Sequence, residues 1–152
     1  MDENSFTSEM MQCTQMFYRI AFTILRNRED CLDAMQETAF RAWKKLGSLR
    51  NERYFRTWAT RILINECKTI LRKRRRNIPL EDIPEIATEP PDPTLALMLH
   101  DLPEHLRLPL VMFYLEGMTE KEVAYALRLP QTTVRGRIAR AKARLRKELE
   151  EL

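Results

Sequence analysis

The chain has 152 residues, 44% of them apolar and 32% charged, with a formal net charge of +4. Its three glycines are too few for the turns of a sandwich, a barrel or a Gly-rich phosphate loop, and no apolar run approaches the ~20 residues of a membrane span. The acidic opening Met-Asp-Glu-Asn-Ser-Phe speaks against a signal peptide, and Cys13, Cys31 and Cys67, scattered without metal-ligand spacing, read as reduced thiols of a cytoplasmic protein.

Residues 5–26 place Phe6, Cys13, Met16, Phe17, Ile20, Ala21, Ile24 and Leu25 at helical spacing and predict one amphipathic helix. A second helix is expected to start at Asp30, with Asp33 three residues on as a carboxylate relative of the capping box, and to stop at Gly47. Its Cys31, Met35, Thr38, Ala39, Ala42 and Leu46 share the core face, while Asp33, Gln36, Glu37, Phe40 and Lys44 fall on the other. A third helix is predicted from Glu52 to Arg76, with Phe55, Ala59, Ile62, Leu63 and Ile70 as its core stripe. Arg61, Asn65, Lys68 and Arg72 line a separate face of it with no acid between them. Helical phase puts Trp43 and Trp58 in the core rather than on display as stacking platforms.

Residues 77–93 hold five of the eight prolines. Proline fixes φ and removes a backbone donor, so the stretch reads as an extended linker. The division that follows is residues 1–76, a linker over 77–94, and residues 95–152. Domains this small bury only ~60% of their unfolded surface, which suits a larger partner holding both. After the linker, Leu102-Pro103-Glu104 is expected to open a helix with proline at its first position, ending at Glu116-Gly117. Pro109 inside it should kink it or cost a hydrogen bond. Thr119 and Glu122 form a capping box for a short helix Glu120–Leu127, and a long helix runs from Gln131 to about Leu149. Two helices across the tight turn Arg128-Leu129-Pro130, the second one basic, form a helix-turn-helix pattern. Val134, Ile138, Ala141, Leu145 and Leu149 face inward on that second helix. Thr133, Gly136, Arg137, Arg140, Arg144 and Lys147 project outward, and residues 131–147 carry seven basic side chains and no acidic one. The fold class is therefore all-α: a three-helix domain and a helix-turn-helix domain joined by an acidic, Pro-rich linker.

Charge is laid out in blocks. Residues 1–37 carry seven acids against three bases, 38–76 two against thirteen, 77–105 seven against none, and 106–152 six against ten. Two basic blocks separated by a purely acidic one are an electrostatic footprint for phosphate on either side of the linker.

Some of these stretches resemble a known family. Asp33-Ala-Met-Gln36-Glu37-Thr-Ala-Phe40-Arg-Ala-Trp43, then Phe55-Arg-Thr-Trp58 and Arg61-Ile62-Leu-Ile-Asn65, resemble region two of bacterial sigma factors of the extracytoplasmic-function (ECF) group. Leu102-Pro103-Glu104, Glu116-Gly117-Met118-Thr119, Glu122-Val123-Ala124, Thr133-Val134-Arg135-Gly136-Arg137 and Arg140-Ala141 resemble their region four. The likeness covers about residues 10–76 and 95–150. It implies an alternative sigma factor that binds core RNA polymerase and directs promoter-specific transcription initiation, with no catalytic residue, no cofactor and no metal. By the resemblance, Asp33, Gln36, Glu37 and Phe40 dock on a coiled coil of the largest polymerase subunit. Arg53, Tyr54, Arg61, Asn65, Lys68 and Arg72 take the single-stranded −10 element, a flipped base entering a pocket in the loop from Gly47 to Tyr54. Thr133, Arg135, Gly136, Arg137, Arg140, Arg144 and Lys147 bind the duplex −35 element, Arg137 and Arg140 being candidates for guanine edges and Arg135, Arg144 and Lys147 for phosphate.

The expected partners are core polymerase, promoter DNA and an anti-sigma protein, without membrane insertion and without an obligate homo-oligomer. Three positions depart from the family pattern: Gly136 replaces a common serine, Arg128 a glycine before the recognition turn, and Thr69 an acid four residues after Asn65. The competing reading is a helix-turn-helix regulator that binds duplex DNA without polymerase. Such a regulator needs neither the Asp33–Phe40 face nor the Asn65 stripe. An enzyme reading is opposed by the lack of a nucleophile–base pair, of paired catalytic carboxylates and of a nucleotide loop, and His100 and His105 do not share a helix face that would bind a metal.

Overall fold

The computed structural model describes residues 1–77 and 99–151. All but the first residue of the expected linker, and the boundary at 94–95, lie outside them. The chain divides into two compact units, and the described residues form helices and turns with no strand among them.

The first unit contains α1 (Glu3–Gln12), α2 (Thr14–Leu25), α3 (Arg28–Lys44) and α4 (Phe55–Asn77). Phe17, Ile20, Ala21 and Leu25 of α2, Cys31, Ala34 and Ala42 of α3, and Phe55, Ala59, Leu63, Ile64 and Cys67 of α4 are buried together. Phe6 of α1 closes one end, its ring edge-on to Trp43 (centroids 5.1 Å apart) and to Phe55 (5.7 Å). Trp58 is buried as expected, but Trp43 is 46% exposed. Its ring meets Phe6 and leaves the rest in solvent, so helical phase placed it too far inward.

The single helix expected over residues 5–26 is two. The Cys13 N–H reaches back to the Met10 carbonyl at 3.1 Å, a tighter turn than the α-helix makes, and the Cys13 carbonyl accepts from the Phe17 N–H at 2.8 Å. Apolar spacing runs unbroken across this joint, so periodicity alone conceals it. The second helix begins earlier than Asp30. Asn27 is its N-cap, accepting the Asp30 N–H on its side-chain oxygen at 3.0 Å, which satisfies one orphan donor of the first turn. Asp30 is already inside the helix, and its carboxylate pairs with Arg74 of α4. Arg74 also donates to the Leu25 carbonyl at 3.2 Å, so one guanidinium ties the end of α2, the start of α3 and the end of α4 together. Gly47 does not stop α3. The helix ends at Lys44 and a 3₁₀ turn, Leu46–Ser48, takes over, with the Ser48 hydroxyl donating to the Lys45 carbonyl at 2.7 Å. Residues 52–54 form another 3₁₀ turn leading into α4. On α4, Ile62 and Ile70 are only half-buried, and Thr57, Thr60 and Glu66 join the buried set.

The second unit contains α5 (Glu104–Leu110), α6 (Glu120–Leu127) and α7 (Gln131–Glu150). Pro103 is the N-cap of α5 rather than its first residue. Pro109 has no N–H to donate, and α5 passes directly into a π-helical turn, Val111–Leu115, whose wider step shows in the Glu116 N–H bonding to the Val111 carbonyl at 3.1 Å. Of the kink or lost hydrogen bond expected at Pro109, the structure shows a missing donor followed by a change of helical step. Gly117, at φ +69°, then reverses the chain and lets the Met118 N–H reach the Met112 carbonyl at 3.1 Å. Arg107 fastens the approach to α5: Nε donates to the Leu99 carbonyl at 2.8 Å, and Nη2 to those of His100 (2.9 Å) and Leu102 (2.6 Å). The core joins Leu102, Leu106, Met112, Val123, Leu127, Val134, Ile138 and Ala141. Leu145 is half-buried and Leu149 is 58% exposed, against the inward placement expected for both. A 20-residue helix is ~30 Å long, and α5 and α6, of seven and eight residues, cannot cover all of it.

Candidate nucleic-acid and polymerase interfaces

The helix-turn-helix is built from local chemistry. Thr119 accepts the Glu122 N–H at 3.1 Å while Glu122 accepts the Thr119 N–H at 3.0 Å, a complete capping box that fixes the start of α6. At its end Arg128 takes the left-handed conformation (φ 58°, ψ 44°), and the Leu129 N–H bonds to the Ala124 carbonyl at 3.0 Å. That is the hydrogen bond of a Schellman cap, made here without glycine. Pro130 then caps α7, and Val134, Ile138 and Ala141 anchor α7 in the core.

That anchoring decides what α7 shows to solvent. Arg140, Arg144 and Lys147 are exposed, and Thr133, Gly136 and Arg137 are half-buried on the flank of the helix. Arg135 is exposed but engaged, its Nε 2.9 Å from Glu120 Oε2 across the turn. A Cβ placed on Gly136 would lie 3.6 Å from Arg140 Nη1, so the Arg140 guanidinium lies back along the helix beside the glycine. With no acid between residues 131 and 147, the face is a continuous cationic strip on a helix of the width that enters a major groove.

On α4 of the first unit, Asn65, Lys68 and Arg72 are exposed and Arg61 is half-buried. The Thr69 hydroxyl donates to the Asn65 carbonyl at 3.0 Å and accepts from Arg72 Nη2 at 3.3 Å, so Thr69 braces Arg72 against the helix. Arg53 and Tyr54 stand at the start of α4 with Tyr54 57% exposed. The loop before them is pinned by Asn51, whose side-chain oxygen accepts the Arg53 N–H at 3.0 Å. On α3, Asp33, Gln36 and Phe40 are exposed and Glu37 is half-buried. Phe40 is 54% exposed with Lys44 Nζ 4.3 Å from its ring centroid. Glu37 accepts from Arg41 Nε at 3.1 Å, and the same nitrogen lies 2.8 Å from Glu66 Oε1 on α4. Sequence reasoning passed over Arg41, Arg74 and Arg107. Arg41 and Arg74 lie in basic runs while Arg107 stands alone among apolar residues, and only the fold separates a structural arginine from a DNA-facing one. No group of His, Cys, Asp and Glu that could hold a metal occurs among the described residues, and none of their helices is long and apolar enough to cross a membrane.

Residues 10–77 match the family Sigma-70 region 2, and residues 94–145 match Sigma-70, region 4. The chain belongs to the ECF RNA polymerase sigma factors. This group of alternative sigma factors directs transcription initiation, binding core polymerase and promoter DNA. The ECF RNA polymerase sigma-E factor of Haemophilus influenzae is 30% identical over 83% of this chain and 78% of that protein. The ECF RNA polymerase sigma factor SigM of Mycobacterium tuberculosis is 30% identical over 95% of this chain and 76% of its own length. Among solved structures, CnrH in complex with the cytosolic domain of CnrY is 26% identical over 99% of this chain and 90% of that chain, with a TM-score of 0.75. The sigma factor RpoE in complex with the anti-sigma factor NepR from Bartonella quintana gives a TM-score of 0.82 at 22% identity, covering 96% of this chain and 97% of that chain, which is a likeness of fold. The sigma factor described here thus carries regions 2 and 4 in the order read from its sequence.

Proposed function

We propose that this sigma factor docks core polymerase through Asp33, Gln36, Glu37 and Phe40, takes the single-stranded −10 element on Arg53, Tyr54, Arg61, Asn65, Lys68 and Arg72, and reads the duplex −35 element with α7. The observation that carries this reading is the exposed cationic strip of α7, acid-free from residue 131 to 147 and set behind a complete helix-turn-helix. On it Arg137 and Arg140 are the base readers, Thr133 and Gly136 sit against the groove, and Arg135, Arg144 and Lys147 neutralise phosphate. The protein acts by positioning polymerase and not as an enzyme, in the cytoplasm where polymerase works. The neighbour RpoE, solved with the anti-sigma factor NepR, supports an anti-sigma partner here too. A duplex-only regulator is disfavoured, because it leaves the region-two match over residues 10–77 without a use.

Run-off transcription with purified core polymerase, with and without this chain, tests the whole reading. A −35 library separates the roles. Arg140→Ala should cost ~1–3 kcal/mol at one preferred base pair and relax choice there. Arg144→Ala should weaken all sequences alike and flatten the salt slope by about one unit. Identical behaviour of the two variants across the library overturns the division between reader and clamp.

A further inference from the structure

Among the described residues, two that are not glycine adopt positive φ, Arg26 and Arg128. A side chain in that conformation crowds its own carbonyl, and glycine would relieve it. The same unit shows the ordinary solution eleven residues earlier, where Gly117 takes φ +69° to end the preceding helix. Arg26 is half-buried and is engaged by other groups of the protein. Arg128 differs: it is exposed, and among the described residues no carboxylate pairs with it. Other arginines are occupied, Arg135 by Glu120, Arg107 by three carbonyls and Arg74 by Asp30 and the Leu25 carbonyl. Arg128 lies three residues before α7 begins and is the first of eight basic side chains before the next acid, Glu148.

An unpaired cation held in a costly backbone conformation, beside a cationic helix, is an outlier that points to use. We infer that Arg128 is a further −35 contact, a phosphate clamp on the recognition turn, retained against the backbone preference for glycine. Its place outside α7 keeps it from the base edges in the groove, so it adds affinity and register without sequence choice. The inference rests on α7 being the −35 helix.

The structural alternative is that Arg128 only complements the negative end of α6. The two part on Arg128→Gly. Binding of the full chain to the tightest duplex recovered from a randomised −35 library, and to a scrambled duplex, is titrated across salt concentrations. Hydrogen exchange of α6 and α7 is followed in parallel. The clamp predicts slower exchange together with weaker binding, about tenfold on both duplexes, and a salt slope flatter by about 0.9. Arg128→Lys should restore most of the affinity, and Arg128→Asn, which tolerates the left-handed conformation without charge, should not. Slower exchange with unchanged affinity and slope overturns the clamp while leaving α7 in place, provided Arg140→Ala still relaxes sequence choice. If Arg140→Ala also leaves binding unchanged, both the clamp and the −35 reading of α7 fail.

Discussion

Arg41 Nε lies 2.8 Å from the Glu66 carboxylate, joining α3, which carries the proposed docking residues, to α4, which carries the proposed −10 stripe. Glu66 is almost wholly buried, with 7% of its side chain exposed against 47% for Arg41. The carboxylate therefore depends on Arg41 far more than Arg41 depends on it. Removing the guanidinium leaves a buried acceptor unmet, which costs about 1–3 kcal/mol. Arg41→Ala should accordingly lower the midpoint of urea unfolding of the first unit. Glu37→Ala, which removes only the half-buried i,i+4 partner, should cost about 0.3–0.5 kcal/mol. Equal losses for the two variants would show that Glu66 does not need the pair.

Phe40 gives the cleanest test of polymerase docking. Glu37→Arg would place a second guanidinium against Arg41 and so disturb the Arg41–Glu66 pair as well. Phe40 stands outside the buried core at 54% exposure, with Lys44 Nζ over its ring. Phe40→Ala should change folding stability by no more than about 1 kcal/mol, the worth of an exposed cation–π contact. If the ring is a docking anchor, affinity for purified core polymerase should fall by about 2 kcal/mol or more, roughly thirtyfold. An unchanged affinity removes this face from the interface.

Helix periodicity made most of this fold legible because each unit needs one apolar stripe per helix. Val134, Ile138 and Ala141, and Phe55, Ala59 and Leu63, are buried where their spacing puts them. The T-x-x-E box at Thr119 marked the start of α6 to the residue. Periodicity failed where hydrogen bonding changes step without changing apolar phase, as at Cys13 and in the π turn after Pro109. It also failed at Leu149, where the helix outruns its neighbours. The exposure of Asp33, Gln36, Asn65, Lys68, Arg140 and Arg144 followed from helical phase. Which arginines are consumed by the fold did not, because Arg74, Arg107 and Arg41 find partners distant in sequence or on backbone carbonyls.

Gly136 sits inside α7, where glycine weakens a helix by roughly 0.5–1 kcal/mol relative to alanine. A Cβ there would meet only Arg140 Nη1, at an ordinary contact distance of 3.6 Å. Gly136→Ala should therefore stabilise the second unit by about that amount, read as slower hydrogen exchange along α7. Destabilisation would mean that Arg140 needs the open space beside the helix, and a shift in −35 preference would then accompany it.

The buried thiols set a pH limit on the first unit. Burial pushes the Cys31 thiol up to about 11. Burial, with smaller contributions from neighbouring Cys31 and Glu66, pushes Cys67 to about 12. Burial also raises Cys13. An unfolded chain loses these protons near pH 9, the ordinary value, whereas the folded chain holds them. Above that pH the unfolded state binds fewer protons, so stability falls as pH rises. The contribution is fully present below about pH 8.5 and is lost progressively up through the folded values near 11 and 12. Urea midpoints should thus be flat in this respect from pH 7 to 8.5 and drop toward pH 10.5. Cys31→Ala, which removes one such group, should drop less over the same range. The same burial keeps the thiolate population low at neutral pH, so native protein should react with a thiol-specific reagent far more slowly than urea-unfolded protein. A native rate equal to the unfolded one, or an undiminished pH dependence in Cys31→Ala, would show that the first unit opens too readily for its core to protect these groups.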